Sequence, residues 1–462
     1  MMGTLPPEQN NLFYEFSLEK HIPQDHLLRS IDRFLDFNEV RSELDSFYSH
    51  TGRPSIDPEL MIRMLLIGYC YGIRSERRLC EEVNFNLAYR WFCKIGLEDE
   101  VPNHSTFSKN RLGRYRDANI FRYVFDAVVQ RCNEEGLVKG EGFAIDASYI
   151  RADVSRQRAE AGPIDWGEPD SQSRAVTEYL DALDKDAAYK RPQKTISLTD
   201  PMSQWSGAKG PAQFYYSTNY LIDVHKGVIM DVEASPSTHA FEVGTTRTMI
   251  DRVEARHQIL PDRLMGDTTY GSAANLGYLV EEKHIEPHVP VWDKSVHKKG
   301  IFPASDFIWV EEENEYRCPA GKPLRNGWRN YKKPRTGIKK DGFRDYTSRK
   351  ADCDQCPLKP QCCPNAATRN LVRSVHEKAR DVARAINQTD DYKYRTFHER
   401  KKVEMCFAQM KRNLRFDRLR LRGLNSANDE FLLVACAHNL IKMAKYLNRP
   451  PPLYREGAPA IP

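Results

Sequence analysis

Two aspartates in this 462-residue chain close short apolar runs in the same way. Asp146 follows Phe143-Ala144-Ile145, and Asp267 follows Leu264-Met265-Gly266. A carboxylate at the end of a buried strand is held rigidly while its oxygens emerge at the sheet edge. That placement suits a hard cation such as Mg²⁺, which takes one or two carboxylates plus substrate phosphate. Taken singly, each aspartate reads more readily as the cap of the turn that follows it. The metal reading rests on combination with a third acid, Glu404, in "FHERKKVEMCFAQMKRNLRF", residues 397–416. At about 100° per residue, with Arg400 at zero, Glu404 falls at about 40° and Lys411 at about 20°. Val403, Met410 and Leu414 form an apolar stripe beside that line. An Arg–Glu pair four residues apart is worth only a few tenths of a kcal/mol on a helix. Such a pair does not require a further cation in line two turns on.

These three acids need a sheet and a helix to bring them together. From residue 140 the hydrophobic period changes from helical to alternating. "EGFAIDASYIRAD" reads as a short strand, and "FYYSTNYLIDVHKGVIMDVEASP" as a hairpin with its turn at Lys226-Gly227. "RLMGDTTYGSAANLGYLVEEKHI" reads as strand, turn and helix, and "EPHVPVW" as another strand. The Gly- and Pro-rich "RPQKTISLTDPMSQWSGAKGPAQ" between them is expected to be loop.

Ahead of this region, helices are expected with Asp57, Ser75, Asn86 and Ser105 as caps, Pro58 at a first helical position and Gly96 and Gly136 as stops. His104, just before Ser105, reads as a turn residue. Near the end, "NDEFLLVACAHNLIKMAKYL" is a helix with Asn428 as its expected cap and an apolar stripe for a sheet. The layout is α/β: a helical N-terminal domain at 15–137, a core at 138–292, an insert at 293–393, a helical return to the core at 394–448, and a weakly ordered tail at 449–462.

Phe397-x-x-Arg400-x-x-x-Glu404-x(6)-Lys411 resembles the Tyr-x-x-Arg-x-x-x-Glu-x(6)-Lys signature of DDE transposases from bacterial insertion sequences. Asp146 in "AIDAS" and Asp267 in "MGDTTYGS" are similar to the first two catalytic carboxylates of that family, and "GRPSIDPELMIRMLLIGYCYGIRSERRLCEEV" to its N-terminal domain. "SLTDPMSQW" and "RLRGL" also look familial. The resemblance spans about residues 15–447 and departs from the signature at Phe397, where a hydroxyl is missing. It implies a ribonuclease-H-like core and two Mg²⁺ (or Mn²⁺) ions, with Asp146 bridging them and Asp267 and Glu404 each on one. It also implies cutting of double-stranded DNA at transposon ends and joining to target DNA by a dimer or higher assembly. In-line phosphoryl transfer needs metals roughly 4 Å apart, and Arg400 and Lys411 are expected to hold the phosphate backbone beside them. A nuclease of the same fold without strand transfer, or a catalytically inert DNA-binding protein, are the competing expectations; three intact acids argue against the second.

The charge distribution agrees with a polyanion partner. The net charge is only +5, but residues 395–424 carry ten Lys/Arg against three acids. No basic-then-apolar leader opens the chain, and its apolar runs are too short and interrupted to span a bilayer, so a cytoplasmic protein is expected. Of eleven cysteines, five lie at 318, 353, 356, 362 and 363. One Cys-x-x-Cys pair with outlying thiols suits tetrahedral Zn²⁺, with Cys318, Cys353, Cys356 and Cys362 as the candidate set. Spacing alone does not separate Cys362 from Cys363. The role expected of this zinc is to stiffen the insert, whose "CPAG…CDQCPLKPQCC" is similar to an insert in some of these transposases.

Overall fold

In the computed structural model, residues 16–447 are described apart from 49–50, 52–54, 163, 168–171, 186–192, 208–210, 293–299, 330–335 and 341; the tail expected at 449–462 lies outside them. Local caps set the first helices: α1 (Leu18–His21), α2 (Leu27–Asp32), α3 (Asn38–Asp45), α4 (Pro58–Cys70), α5 (Glu76–Phe85), α6 (Leu87–Phe92), α7 (Ser105–Leu112), α8 (Arg114–Asp117) and α9 (Ile120–Glu134). The Asp57 carboxylate accepts from Glu59 N, Ser75 Oγ from Arg78 N, and Asn86 Oδ1 from Ala88 N and Tyr89 N, as expected. Two expectations fail. Ser105 is the first helical residue of α7 rather than its cap, and Asn103 Oδ1 accepts its N–H instead. Helix α6 stops before Gly96, where Lys94 takes a positive φ of 58°.

The central sheet starts with β1 (Gly142–Arg151). A two-stranded ribbon of β2 (Ala159–Glu160) and β3 (Ile196–Ser197) and the helix α10 (Arg174–Lys185) follow. Then come β4 (Gln204–Ser206), β5 (Gln213–Asp223), β6 (Val228–Pro236), α11 (His239–His257), β7 (Arg263–Met265), α12 (Ala273–Gly277) and β8 (Glu286–His288). The segment read as loop therefore holds β3 and β4. The strand order is β5-β1-β7-β8, with β4 and β6 both beyond β5. Strands β1, β7 and β8 run parallel and β5 runs against β1. The hairpin turn falls at Lys226-Gly227 as expected, with Gly227 at φ +73°. The Asp223 carboxylate fastens it by accepting from the backbone of Lys139, Gly140 and His225.

The insert folds as a second sheet of β9 (Ile308–Val310), β10 (Glu315–Arg317), β11 (Pro323–Arg325), β12 (Phe343–Ser348) and β13 (Asn370–Ser374), with α13 (Lys350–Asp354) and α14 (Lys359–Cys362) between β12 and β13. Helix α15 (Glu377–Gln388) returns to pack on α12 and β8. Helices α16 (Phe397–Arg412) and α17 (Leu424–Leu447) finish the core.

Helix α17 packs on β6, α9 and α4 together, so one buried apolar core runs unbroken from Leu28 to Met443. It begins four residues before Asn428, just after Gly423 at φ +88°. Asn428 is thus not its cap; its Oδ1 accepts from Ala234 N of β6 at 3.0 Å. A buried ion pair between Arg122 of α9 and Asp231 of β6 crosses the same seam, and Arg252 Nε of α11 donates to Asp231 at 2.8 Å.

Candidate functional site

Asp146 does not end its strand. It sits in the middle of β1, opposite Tyr220 of β5. The exposure of a strand end arises differently: the β1–β7 ladder stops at Ala144↔Met265, so Asp146 lies beyond the last parallel pair. The loop after β7 opens beside it, and Asp267 stands at that loop's start. Asp267 Oδ1 accepts from Thr269 N at 2.8 Å and caps the single turn Thr268–Tyr270. The turn-cap reading is therefore also true of this residue, but that bond uses only Oδ1. Gly271 lets the loop close, since a Cβ there would meet Pro290 O at 1.9 Å, and Gly271 O accepts from Trp292 N.

Glu404 reaches this place from α16, which buries Val403, Cys406 and Met410. Phe407 on the same helix rests on Tyr220, the β5 partner of Asp146, with ring centroids 5.4 Å apart. Asp146, Asp267, Arg400 and Glu404 are electrostatic neighbours. Burial, above all, pushes the Asp146 carboxyl up to about 6; Asp267 and Glu404 push it further, while the Ala147 N–H and Arg400 pull it down. Among the described residues, no cationic side chain is ion-paired with Asp146, Asp267 or Glu404. The contrast lies one turn away on α16, where Glu399 holds Arg263 of β7 at 2.9 Å and Arg395 at 3.2 Å.

The other signature positions are placed as follows. Arg400 stands near Asp146 and Tyr392. Lys411 Nζ donates to Tyr149 O of β1 at 3.3 Å. Phe397 is exposed, and the Lys401 ammonium sits 4.4 Å from its ring centroid.

Several neighbours carried no signal in the sequence. Tyr270 is buried beside Asp146, Asp267, Glu242 and Tyr149; burial first, then these groups, raises its hydroxyl well above the usual range. Glu242 of α11 is itself buried and accepts from Ser217 Oγ at 2.6 Å. His288 of β8 shares a 2.8 Å hydrogen bond with Thr396 at the entrance to α16. The Arg395/Glu399 spacing was visible as a helical i,i+4 pair, but Arg263 lies 136 residues away in sequence. Behind the site, Glu430 of α17 accepts from Arg420 N and Leu421 N and pairs with Arg74, fixing the "RLRGL" turn.

A divalent cation fits this donor set chemically: three carboxylates without cationic partners among the described residues, one of them held half-buried at the expense of its ionised form. No three His, Cys, Asp or Glu side chains among the described residues already stand as a ligand set, so holding an ion requires side-chain movement. Glu404, exposed and long, is the group with room to move. The five clustered cysteines belong to the insert, away from these acids, and line one small cavity there.

Comparison with known families defines the class. Two family matches support a DDE transposase of an insertion sequence. Residues 16–112 match a transposase domain (DUF772), and residues 317–444 match a transposase DDE domain. The second match includes Glu404 and the cysteine cluster; Asp146 and Asp267 lie between the two matched segments. No curated protein and no solved structure matches the chain. No helix among the described residues is long and apolar enough to cross a membrane.

Proposed function

We propose that this transposase cuts double-stranded DNA at the ends of its element and joins the freed 3′ ends to target DNA, with Asp146, Asp267 and Glu404 as the catalytic acids. The observation that carries the reading is the meeting of three acids from β1, the end of β7 and α16, none ion-paired among the described residues. A ribonuclease-H-like core is the matching fold reading. It is supported by the order β6-β5-β1-β7-β8 with β5 alone reversed, and by the acids on β1, after β7 and on a later helix.

Two Mg²⁺ or Mn²⁺ ions held by these acids would supply activation of water and of the freed 3′-hydroxyl, and charge neutralisation of the entering and leaving oxygens. Asp146, which has Asp267 and Glu404 as electrostatic neighbours, would hold the ions together with them. Arg400 neighbours Asp146 and holds the scissile phosphate. Lys411, whose Nζ donates to Tyr149 O of β1, is the second cation read as a contact to the phosphate backbone. No protein nucleophile takes part. The active complex is read as a homodimer or larger, each copy engaging one DNA end.

The test is cleavage and joining of an end-bearing duplex with Mg²⁺. Asp146→Ala, Asp267→Ala and Glu404→Ala are each expected to lose cleavage by at least about 10²–10³-fold, the scale for removing one transition-state electrostatic group, while DNA binding persists. Retained cleavage by any of the three sinks the assignment. Cut but never joined products from the wild type favour hydrolysis alone.

A further inference from the structure

Phe307, Leu324, Tyr346, Cys353, Cys362, Cys363 and Leu371 form the insert's own buried cluster, separate from the main core. Three of these seven residues are cysteines. A cluster this small does not stabilise a five-stranded unit whose strands run three to six residues; units of that size need disulfides, a metal or another staple. No disulfide is present among the described cysteines.

What the insert has instead is five thiols around one cavity of about 30 Å³: Cys318, Cys353, Cys356, Cys362 and Cys363. The backbone around them is already turned toward ligand duty. Gly321, at φ +74°, donates to Cys318 O at 2.7 Å, and Lys322 N donates to Cys318 Sγ at 3.3 Å. Across the cavity the Cys-x-x-Cys turn closes through Cys356 N to Cys353 O at 3.2 Å. The thiol of Cys363 lies against those of both Cys353 and Cys362, whereas Cys362 lies chiefly against Cys363.

We propose that this cavity binds one structural Zn²⁺ through Cys318, Cys353, Cys356 and Cys363, leaving Cys362 as a packing residue. Four thiols give four thiolates and four protons to solvent, and the ion closes a tetrahedral all-sulfur set with no open position. All-thiolate sites select zinc or iron–sulfur clusters over hard cations. Arg369, Lys322 and Lys359 at the cavity's edge offset the remaining negative charge. The thiols are not yet a ligand set as placed, and closing it takes rotation of side chains on turns that are already formed. This site stands apart from the DNA chemistry, so its failure leaves the transposase reading untouched.

The experiment is elemental analysis of the full chain purified without added metal. One zinc per chain is expected, retained by Cys362→Ser and lost by Cys363→Ser. Should Cys363→Ser fail to fold, Co²⁺ exchanged into the wild type reports the same site through the visible bands of tetrahedral cobalt thiolate, bleached on adding Zn²⁺. Three results overturn the proposal: less than one zinc per chain that added Zn²⁺ does not restore, iron with sulfide in its place, or zinc kept by Cys363→Ser and lost by Cys362→Ser.

Discussion

The acidic site and the cysteine-lined insert are both places where a metal is expected, yet they stand on opposite kinds of support. The three acids hang from β1, the β7 loop and α16, elements rooted in one core that runs from Leu28 to Met443. None of the three belongs to that core. In the insert two of the proposed ligands are themselves core: Cys353 and Cys363 are buried with Cys362 and four other residues. The acids can therefore be removed without unfolding anything, and charge is the penalty they impose while apo. Loss of Cys353 or Cys363 would remove a proposed ligand and part of the local core together.

The sharpest way to break this comparison is to attack the main core's seam. Asp231→Ala leaves the buried Arg122 guanidinium without its partner and weakens the hold of Arg252. Stripping one member from a buried pair costs about 3–5 kcal/mol, and the loss is expected in one cooperative transition covering α9, β6 and α17. Chemical denaturation followed by tryptophan fluorescence and by circular dichroism measures it. A loss under about 1 kcal/mol, or two separated transitions, means the N-terminal helices and the sheet do not share a single stabilising core.

A middle-sized effect is expected at Glu399, which belongs to neither proposed metal site but pins α16 to β7 through Arg263, at 2.9 and 3.0 Å from its two oxygens. Groups that orient metal ligands from behind are worth about 10–100-fold in metal affinity or activity. Glu399→Gln is expected to raise the Mg²⁺ concentration for half-maximal cleavage by that factor. If cleavage at saturating Mg²⁺ falls while the Mg²⁺ requirement stays put, Glu399 acts on the fold alone and does not position Glu404.

What the sequence disclosed divides by range. Caps at Asp57, Ser75 and Asn86 were readable because each side chain bonds a backbone N–H two or three residues on. The hairpin turn at Lys226-Gly227 was readable because alternating strands flank a glycine, which takes the φ of +73° the turn requires. The errors come from contacts with distant partners. Asn428 looked like a cap because nothing local showed that its amide serves β6, 194 residues earlier. Asp146 looked like a strand end because the apolar run stops there. The strand continues through polar Asp146–Ser148 because β5 supplies hydrogen-bond partners as far as Arg151. The acids themselves were legible as types at plausible places, whereas the pairing that leaves them uncompensated and Glu399 compensated was not. The insert's sheet escaped notice because strands of three to six residues, charged on one face, carry almost no periodic signal.

The smallest expected effect concerns Phe397, the one departure from the transposase signature. Its ring is 56% exposed and carries Lys401 at 4.4 Å from the centroid, a cation–π contact that Tyr would make equally well. It does not pack in the core that positions Glu404; that task falls to Val403, Cys406 and Met410. Phe397→Tyr is therefore expected to leave stability within about 0.5 kcal/mol, the usual range for surface changes, and to leave Mg²⁺-dependent cleavage by the isolated protein unchanged. A gain in cleavage without a change in stability carries a different meaning: the missing hydroxyl reaches DNA, and the exposed start of α16 is part of the substrate-binding face. Titrating DNA affinity for both forms at two salt concentrations separates the outcomes, since a hydroxyl–phosphate contact raises affinity without adding the charge that steepens salt dependence.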